Sequence, residues 1–283
     1  RRLHAEFSAS TIATMLGEGE RLRRTRDLAA WFGAVDTAAV ADLIIADFAL
    51  LTLDHDACLD AAQRCAEASR RFGLATLPVA LLWLAGAHAI AGRSDEMEAI
   101  LAEATEISDG DPRIVADEFG RVRATWAFLT GDRDAFRTAL DRSVVMADRA
   151  PSTSSVFAGR LNWLLLESSD ADDLGAAARQ ATADLVNAPV FGSVYGWSEA
   201  IADGRRGDPE AATATFQRHA STLPAATAAW GAVQVARLLV AEAALRDGWG
   251  EPVPWIRALE AWFFERGLER VVDALDVLED RRD

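Results

Sequence analysis

Apolar positions along the chain recur at helical spacing and restart at a fixed interval. Five segments carry the repeat: LDHDACLDAAQRCAEAS from Leu53, GRSDEMEAILAEATEIS from Gly92, GDRDAFRTALDRSVVMA from Gly131, SDADDLGAAARQATADL from Ser169 and GDPEAATATFQRHASTL from Gly207. Their starts are spaced 39, 39, 38 and 38 residues. Each opens with turn-forming Gly, Asp or Ser and continues with an apolar stripe. The stripe begins at Cys58, Met97, Phe136, Leu174 and Ala212. It continues at Ala62, Leu101, Leu140, Ala178 and Phe216, then at Cys65, Ala104, Ser143, Ala181 and His219. An i, i+4, i+7 stripe is the buried face of an amphipathic helix.

A second, more uniformly apolar helix precedes each turn. The pattern predicts these first helices near Thr37–Thr52, Pro78–Ala91, Pro112–Thr130, Ser154–Glu167 and Val190–Ala202. Asp111-Pro112 and Asp208-Pro209 supply a capping acceptor followed by Pro at the first helical position. Pro224 and Pro254 suit the same role. One further pair is expected before Leu53, at His4–Leu16 and Gly19–Phe32, and another after it, at Pro224–Arg246 and Pro254–Arg266. Leu268–Arg281 reads as a capping helix.

The spacing of Gly92 and Met97 with Leu101 and Ala104 resembles the second helix of a tetratricopeptide repeat. Gly131, Phe136 and Leu140, and Gly207, Ala212 and Phe216, occupy the same places. The small residue of that family's first helix corresponds to Ala46, Ala85, Ala124 and Ala200, and Asn162 departs from it. The repeats exceed the family's usual length of roughly 34 residues, and its consensus Trp and Tyr are mostly missing. The resemblance implies an all-α fold: an α-solenoid of about six to seven antiparallel helix pairs forming one domain over 1–283, with 254–283 as capping helices. The Ala-rich, Lys-free texture, ending in WIRALEAWFFERGLERVVDALDVL, also resembles the helical-repeat region of large LuxR-type transcriptional regulators of actinobacteria. There a nucleotide-binding domain precedes the repeats and a helix-turn-helix domain follows. The chain opens without Met and stops at Asp283, about where a linker to such a domain would start, so it reads as a piece of a longer protein.

Composition narrows the partners. Hydrophobic residues make up 51% of the chain, enough apolar surface to offset the entropy of ordering. The net charge of −15 repels a phosphate backbone, so direct nucleic-acid contact by this segment is not expected. All 29 basic residues are Arg, and Arg21, Arg23, Arg24 and Arg26 read as a solvated helix face. Residues 72–92 carry no charge over 21 positions, long enough to span a bilayer. Pro78, His88 and the coincidence with a first helix favour burial in the protein over a membrane. Cys58 and Cys65 share a helix face ~10 Å apart along the axis, too far for a disulfide. With no secretory leader, the chain is expected to be cytoplasmic.

Chemistry is sparse. Gly17-Glu18-Gly19-Glu20 lacks the third glycine and any Lys of a phosphate loop. Four scattered His, Asp54-His55-Asp56 at a helix start and Asp109-Gly110-Asp111 without a following Glu make no metal site. Gly192-Ser193-Val194-Tyr195-Gly196 misplaces the glycines of a nucleophile elbow. No catalytic residue, cofactor or metal is expected. The aromatic content remains: Trp83, Trp126, Trp163, Trp197 and Trp230 all fall on first helices, which line the concave side of a tetratricopeptide superhelix. Positions the family turns into its groove correspond to Arg121, Thr125, Trp163 and Trp197, with Arg160 and Asn162 beside Trp163. Arg121, Thr125, Trp126, Arg160, Asn162, Trp163, Trp197 and Trp230 therefore form the expected groove, against core packing as the alternative role for each Trp. Three functions follow. The first is a non-enzymatic sensor and interaction region of a LuxR-type regulator, binding a small effector or a protein or peptide partner. The second is a free-standing scaffold for a peptide or protein. The third is a helical enzyme with an unrecognised site. A homodimer is one assembly the first allows.

Overall fold

The computed structural model describes residues 19–147, 165–166, 192–223, 228 and 230–272. Within them the chain is helical, with no strand. The order is α1 (Gly19–Trp31), α2 (Val35–Leu51), α3 (His55–Phe72), α4 (Leu77–Ile90) and α5 (Ser94–Ile107). Then come α6 (Pro112–Asp117), a π-helical turn (Glu118–Arg123), α7 (Ala124–Leu129) and α8 (Arg133–Ala147). After the next described stretch follow α9 (Gly192–Arg205), α10 (Pro209–Ala220), α11 (Gly231–Asp247) and α12 (Pro252–Phe264).

Sequence neighbours pack as pairs: α2 with α3, α4 with α5, α7 with α8, α9 with α10 and α11 with α12. The predicted stripe is what they bury. Cys58, Ala62 and Cys65 of α3, Met97, Leu101 and Ala104 of α5, and Phe136, Leu140 and Ser143 of α8 are all buried. So are the small first-helix residues Ala46, Ala85, Ala124 and Ala200. On α10, Phe216 and His219 are only half-buried. Leu174, Ala178 and Ala181 lie outside the described residues.

The turns inside the pairs share one geometry. Leu53, Gly92, Gly131 and Gly207 stand at the same place in the repeat and all have left-handed backbones, with φ of 55°, 70°, 74° and 79°. In each, the next amide closes the preceding helix with a bond five residues back, as in Arg93 N to His88 O (2.9 Å) and Asp132 N to Ala127 O (2.9 Å). Glycine enters that region without steric cost, so Leu53 is the strained member of the set. The following helices are capped as the sequence predicts. Asp208 accepts from Ala211 N (2.9 Å) and Asp111 from Arg113 N (2.9 Å), each with Pro at the helix start.

The uncharged stretch is explained by position. Helix α4 touches α2, α3, α5, α6, the π turn and α7, so it is apolar all round because protein surrounds it. No described helix is long and apolar enough to cross a membrane.

Three local expectations are corrected. The first helix expected over Pro112–Thr130 is interrupted by the π turn, which inserts a wider coil and rotates Arg121 into the protein. The helix expected from Pro224 to Arg246 is interrupted at Trp230, with Ala228 helical before it and α11 beginning at Gly231. Trp230 before it is extended (ψ 135°), its indole packed edge-on against Phe48. Pro252, not Pro254, takes the first helical position of α12.

A contact between distant parts joins the N-terminal and C-terminal helices in one core. Helix α11 touches α2, and one hydrophobic cluster joins Leu22, Leu50 and Leu81 of the N-terminal pairs to Leu238, Ile256, Phe263 and Val271. The C-terminal helices thus lie on the face formed by the first helices of the N-terminal pairs.

Candidate functional site

The seam between these two parts brings together most of the unusual chemistry. On the N-terminal side it is built by α2, the π turn, α7 and the turns at Thr52, Gly92 and Gly131. On the C-terminal side stand Trp230, α11, α12 and residues 266–271.

Arg121 is almost completely buried, at 4% exposure. Its guanidinium pairs with Asp47 of α2, donates to the Asp47 carbonyl (3.2 Å) and stacks over Trp83 of α4 at 4.3 Å. The side chain therefore ties three successive first helices together, with its charge neutralised and its flat face covered. Glu118 in the same π turn is buried against Arg123 (2.7 Å), and Arg123 reaches Glu98 of α5 (2.9 Å). Thr125 is half-buried and borders, with Arg121, Leu50 and Gly231, a small cavity of about 40 Å³.

The tryptophans divide. Trp126 is half-buried and packs against both hydrophobic clusters, with its indole Nε1 buried and unbonded among the described residues. Trp230 is buried at the seam against Phe48, ring centres 6.4 Å apart. Trp197 is fully buried elsewhere, in an aromatic cluster with Phe216 (5.4 Å) that extends to Trp249 and Trp255. Arg160, Asn162 and Trp163 lie outside the described residues. The structure thus assembles Arg121, Thr125, Trp126 and Trp230 around the seam and sets Trp197 apart.

Sequence reasoning missed the other half of the seam. Arg266, with Nε 3.3 Å from the Thr52 carbonyl and its guanidinium 3.6 Å above the Trp262 ring, pins the C-terminal segment to the first repeat turn. Phe263 meets Phe128 of α7 with ring centres 6.0 Å apart. Arg133 of α8 pairs with Glu242 of α11 at 2.8 Å. Arg270 lies against the second turn, its Nη1 3.2 Å from where a Cβ on Gly92 would sit. A Glu inside the apolar run of α11 and Arg266 and Arg270 four residues apart were the only signals, and neither names a partner.

Titratable groups away from the seam serve packing. Asp42 is buried and accepts from Arg64 Nε (3.0 Å) and Nη2 (2.8 Å). Burial pushes its carboxyl upward, and the Arg64 bonds work against that shift. Burial pushes the Cys58 thiol up to about 12 and raises that of Cys65. Both are free thiols. No group of three or more His, Cys, Asp or Glu converges as metal ligands among the described residues. No family model matches the chain, and no curated protein matches it.

Proposed function

We propose that this chain is a non-catalytic helical-repeat module, an α-solenoid of the tetratricopeptide type, that senses an effector or partner through closure of its own C-terminal helices. The observation that carries this reading is the seam. The face on which such arrays hold partners is covered here by residues 230–272 of the same chain, through contacts such as Arg266 with Thr52 and Phe263 with Phe128. An internal occupant of that kind turns binding into a competition or a clamp. A ligand shifts the equilibrium only as far as it favours the closed or the open arrangement. The finer reading is a regulatory region of a LuxR-type transcriptional regulator, with DNA binding carried by a separate domain. It rests on the sequence texture and on the acidic charge, which disfavours nucleic-acid contact by this segment.

Hydrogen exchange tests the module's central requirement. Amides of α12 and 268–272 are expected to open together with the Thr52 turn, at a lower free energy than the amides of α3. Exchange of these segments only through the same global unfolding that opens α3 would leave no movable closure, and the sensing reading would fail.

A further inference from the structure

A cavity of about 150 Å³ opens on the seam where the turn after α7, the start of α8, the middle of α11 and residues 270–271 meet. Its floor is apolar, formed by Phe128, Phe136, Leu238 and Val271. Four charged residues edge it, and three are already engaged. Asp132 caps α8 by accepting from Ala135 N (2.8 Å). Arg133 and Glu242 hold each other, Nη1 lying 2.8 Å and 3.2 Å from the two carboxylate oxygens. Arg270 remains, an exposed guanidinium beside Gly92 with no carboxylate partner among the described residues.

We propose that this cavity binds a small apolar monocarboxylate, with its hydrocarbon body on Phe128, Phe136 and Leu238 and its carboxylate on Arg270. The cavity is lined mostly by apolar side chains with a few polar groups at one edge, the make-up of a small-molecule site. A guanidinium presents two parallel N–H donors that match a carboxylate. Arg270 is the cation of this edge that has no carboxylate partner among the described residues, and it offers its guanidinium to one carboxylate. The nearby carboxylates of Asp132 and Glu242 disfavour a dianion such as a phosphate monoester. The ligand would bridge the N-terminal pairs and the C-terminal segment, and so would strengthen the closed seam. That consequence rests on the sensing reading; the binding itself does not.

The test is titration calorimetry of the full chain with 2-naphthoate and with its neutral isostere 2-naphthamide. One molecule of 2-naphthoate is expected to bind, with the amide roughly tenfold weaker or worse. Arg270→Gln, a change at an exposed side chain, is expected to bring the acid down to the level of the amide. Leu238→Trp, which fills the floor, is expected to remove binding of both, with retention of the helical circular dichroism checked alongside. No binding of 2-naphthoate, equal affinity for acid and amide, or affinity unchanged by Arg270→Gln would each overturn the site. Hydrogen exchange with 2-naphthoate bound separates the two ideas. Slower exchange at 268–272 supports both, whereas binding without it keeps the site and removes the sensing reading.

Discussion

Arg266 donates from Nε to the main-chain carbonyl of Thr52, 214 residues away, across 3.3 Å. The carbonyl belongs to the end of a first helix, where the last carbonyls lack partners within the helix. The same guanidinium donates to the Trp262 carbonyl (3.1 Å) and lies 3.6 Å above its indole. Burial lowers the proton affinity of this group, yet a guanidinium stays charged at any ordinary pH. Arg266→Ala is expected to cost about 1–2 kcal/mol, from one charge-assisted bond and one cation–π contact. Urea unfolding measures it. A loss under a few tenths of a kcal/mol would mean that apolar packing alone holds the C-terminal segment.

Gly231 begins α11 where its backbone presses on the first repeat turn. A Cβ there would lie 2.6 Å from Leu53 Cγ and 3.0 Å from the Leu51 carbonyl oxygen. The side chain can shift, but the carbonyl belongs to a helix end. Gly231→Ala is therefore expected to destabilise by roughly 1–3 kcal/mol through overpacking. Gly86→Ala, which meets only the Leu50 side chain at 2.9 Å, is expected to cost less. Thermal unfolding of the two variants ranks them, and the reverse order would contradict the close approach.

Half-buried Asp47 pairs with buried Arg121 beside Trp83, so removing one partner differs from removing both. Asp47→Ala removes a carboxylate from a guanidinium almost sealed from water and is expected to cost roughly 2–4 kcal/mol, below the upper range for a fully buried pair because Asp47 is partly exposed. The double variant Asp47→Ala with Arg121→Met is expected to recover a substantial part of that loss. A double-mutant cycle by chemical denaturation checks it; strictly additive losses would show that the pair is not coupled.

His88 and His219 set the pH response near neutrality. Burial lowers the pKa of both below 6.5; Arg93 and His55 add to this at His88, as Arg218 does at His219, while Glu96 and Glu199 oppose it. Folded values below the unfolded ones mean that the unfolded chain binds more protons. Their contribution is complete above about pH 6.5 and is lost as pH falls through the lowered values. Glu242, raised by burial, works in the opposite sense. Stability is expected to drop between pH 7.5 and 5.5, and less so in His88→Gln. Equal pH dependence of variant and parent in urea titrations would remove His88 as a cause.

Cys58 and Cys65 have exposures of 0% and thiols raised by burial, and Cys58 donates to the Trp83 carbonyl (3.4 Å). Thiolate is the reactive form. Neither residue is expected to react with an aromatic disulfide reagent in the native protein, and both should react in denaturant. Rapid labelling at pH 8 without denaturant would contradict the packing of α3 against α4.

The sequence by itself determined the local grammar of this protein. Period 3.6 stripes identify the buried faces of α3, α5 and α8, because a helix with one apolar side must hide it. Turn residues mark the helix ends, because only a left-handed backbone closes them so tightly. Asp111 and Asp208 announce helix starts by capping chemistry that depends on a few adjacent residues. Tertiary structure alone decided which faces meet beyond the repeat. Nothing near Arg266 in the chain specifies Thr52, and nothing in α11 specifies α2. Those contacts come from shape and leftover apolar area once the pairs have formed. The π turn belongs to this second class, since its altered coil brings Arg121 to Asp47 and Trp83, partners supplied by other repeats. The candidate site was legible only in part for the same reason. Arg121, Thr125, Trp126 and Trp230 could be placed on first helices by counting, but the cavity beside Arg270 exists only because two distant segments close on each other.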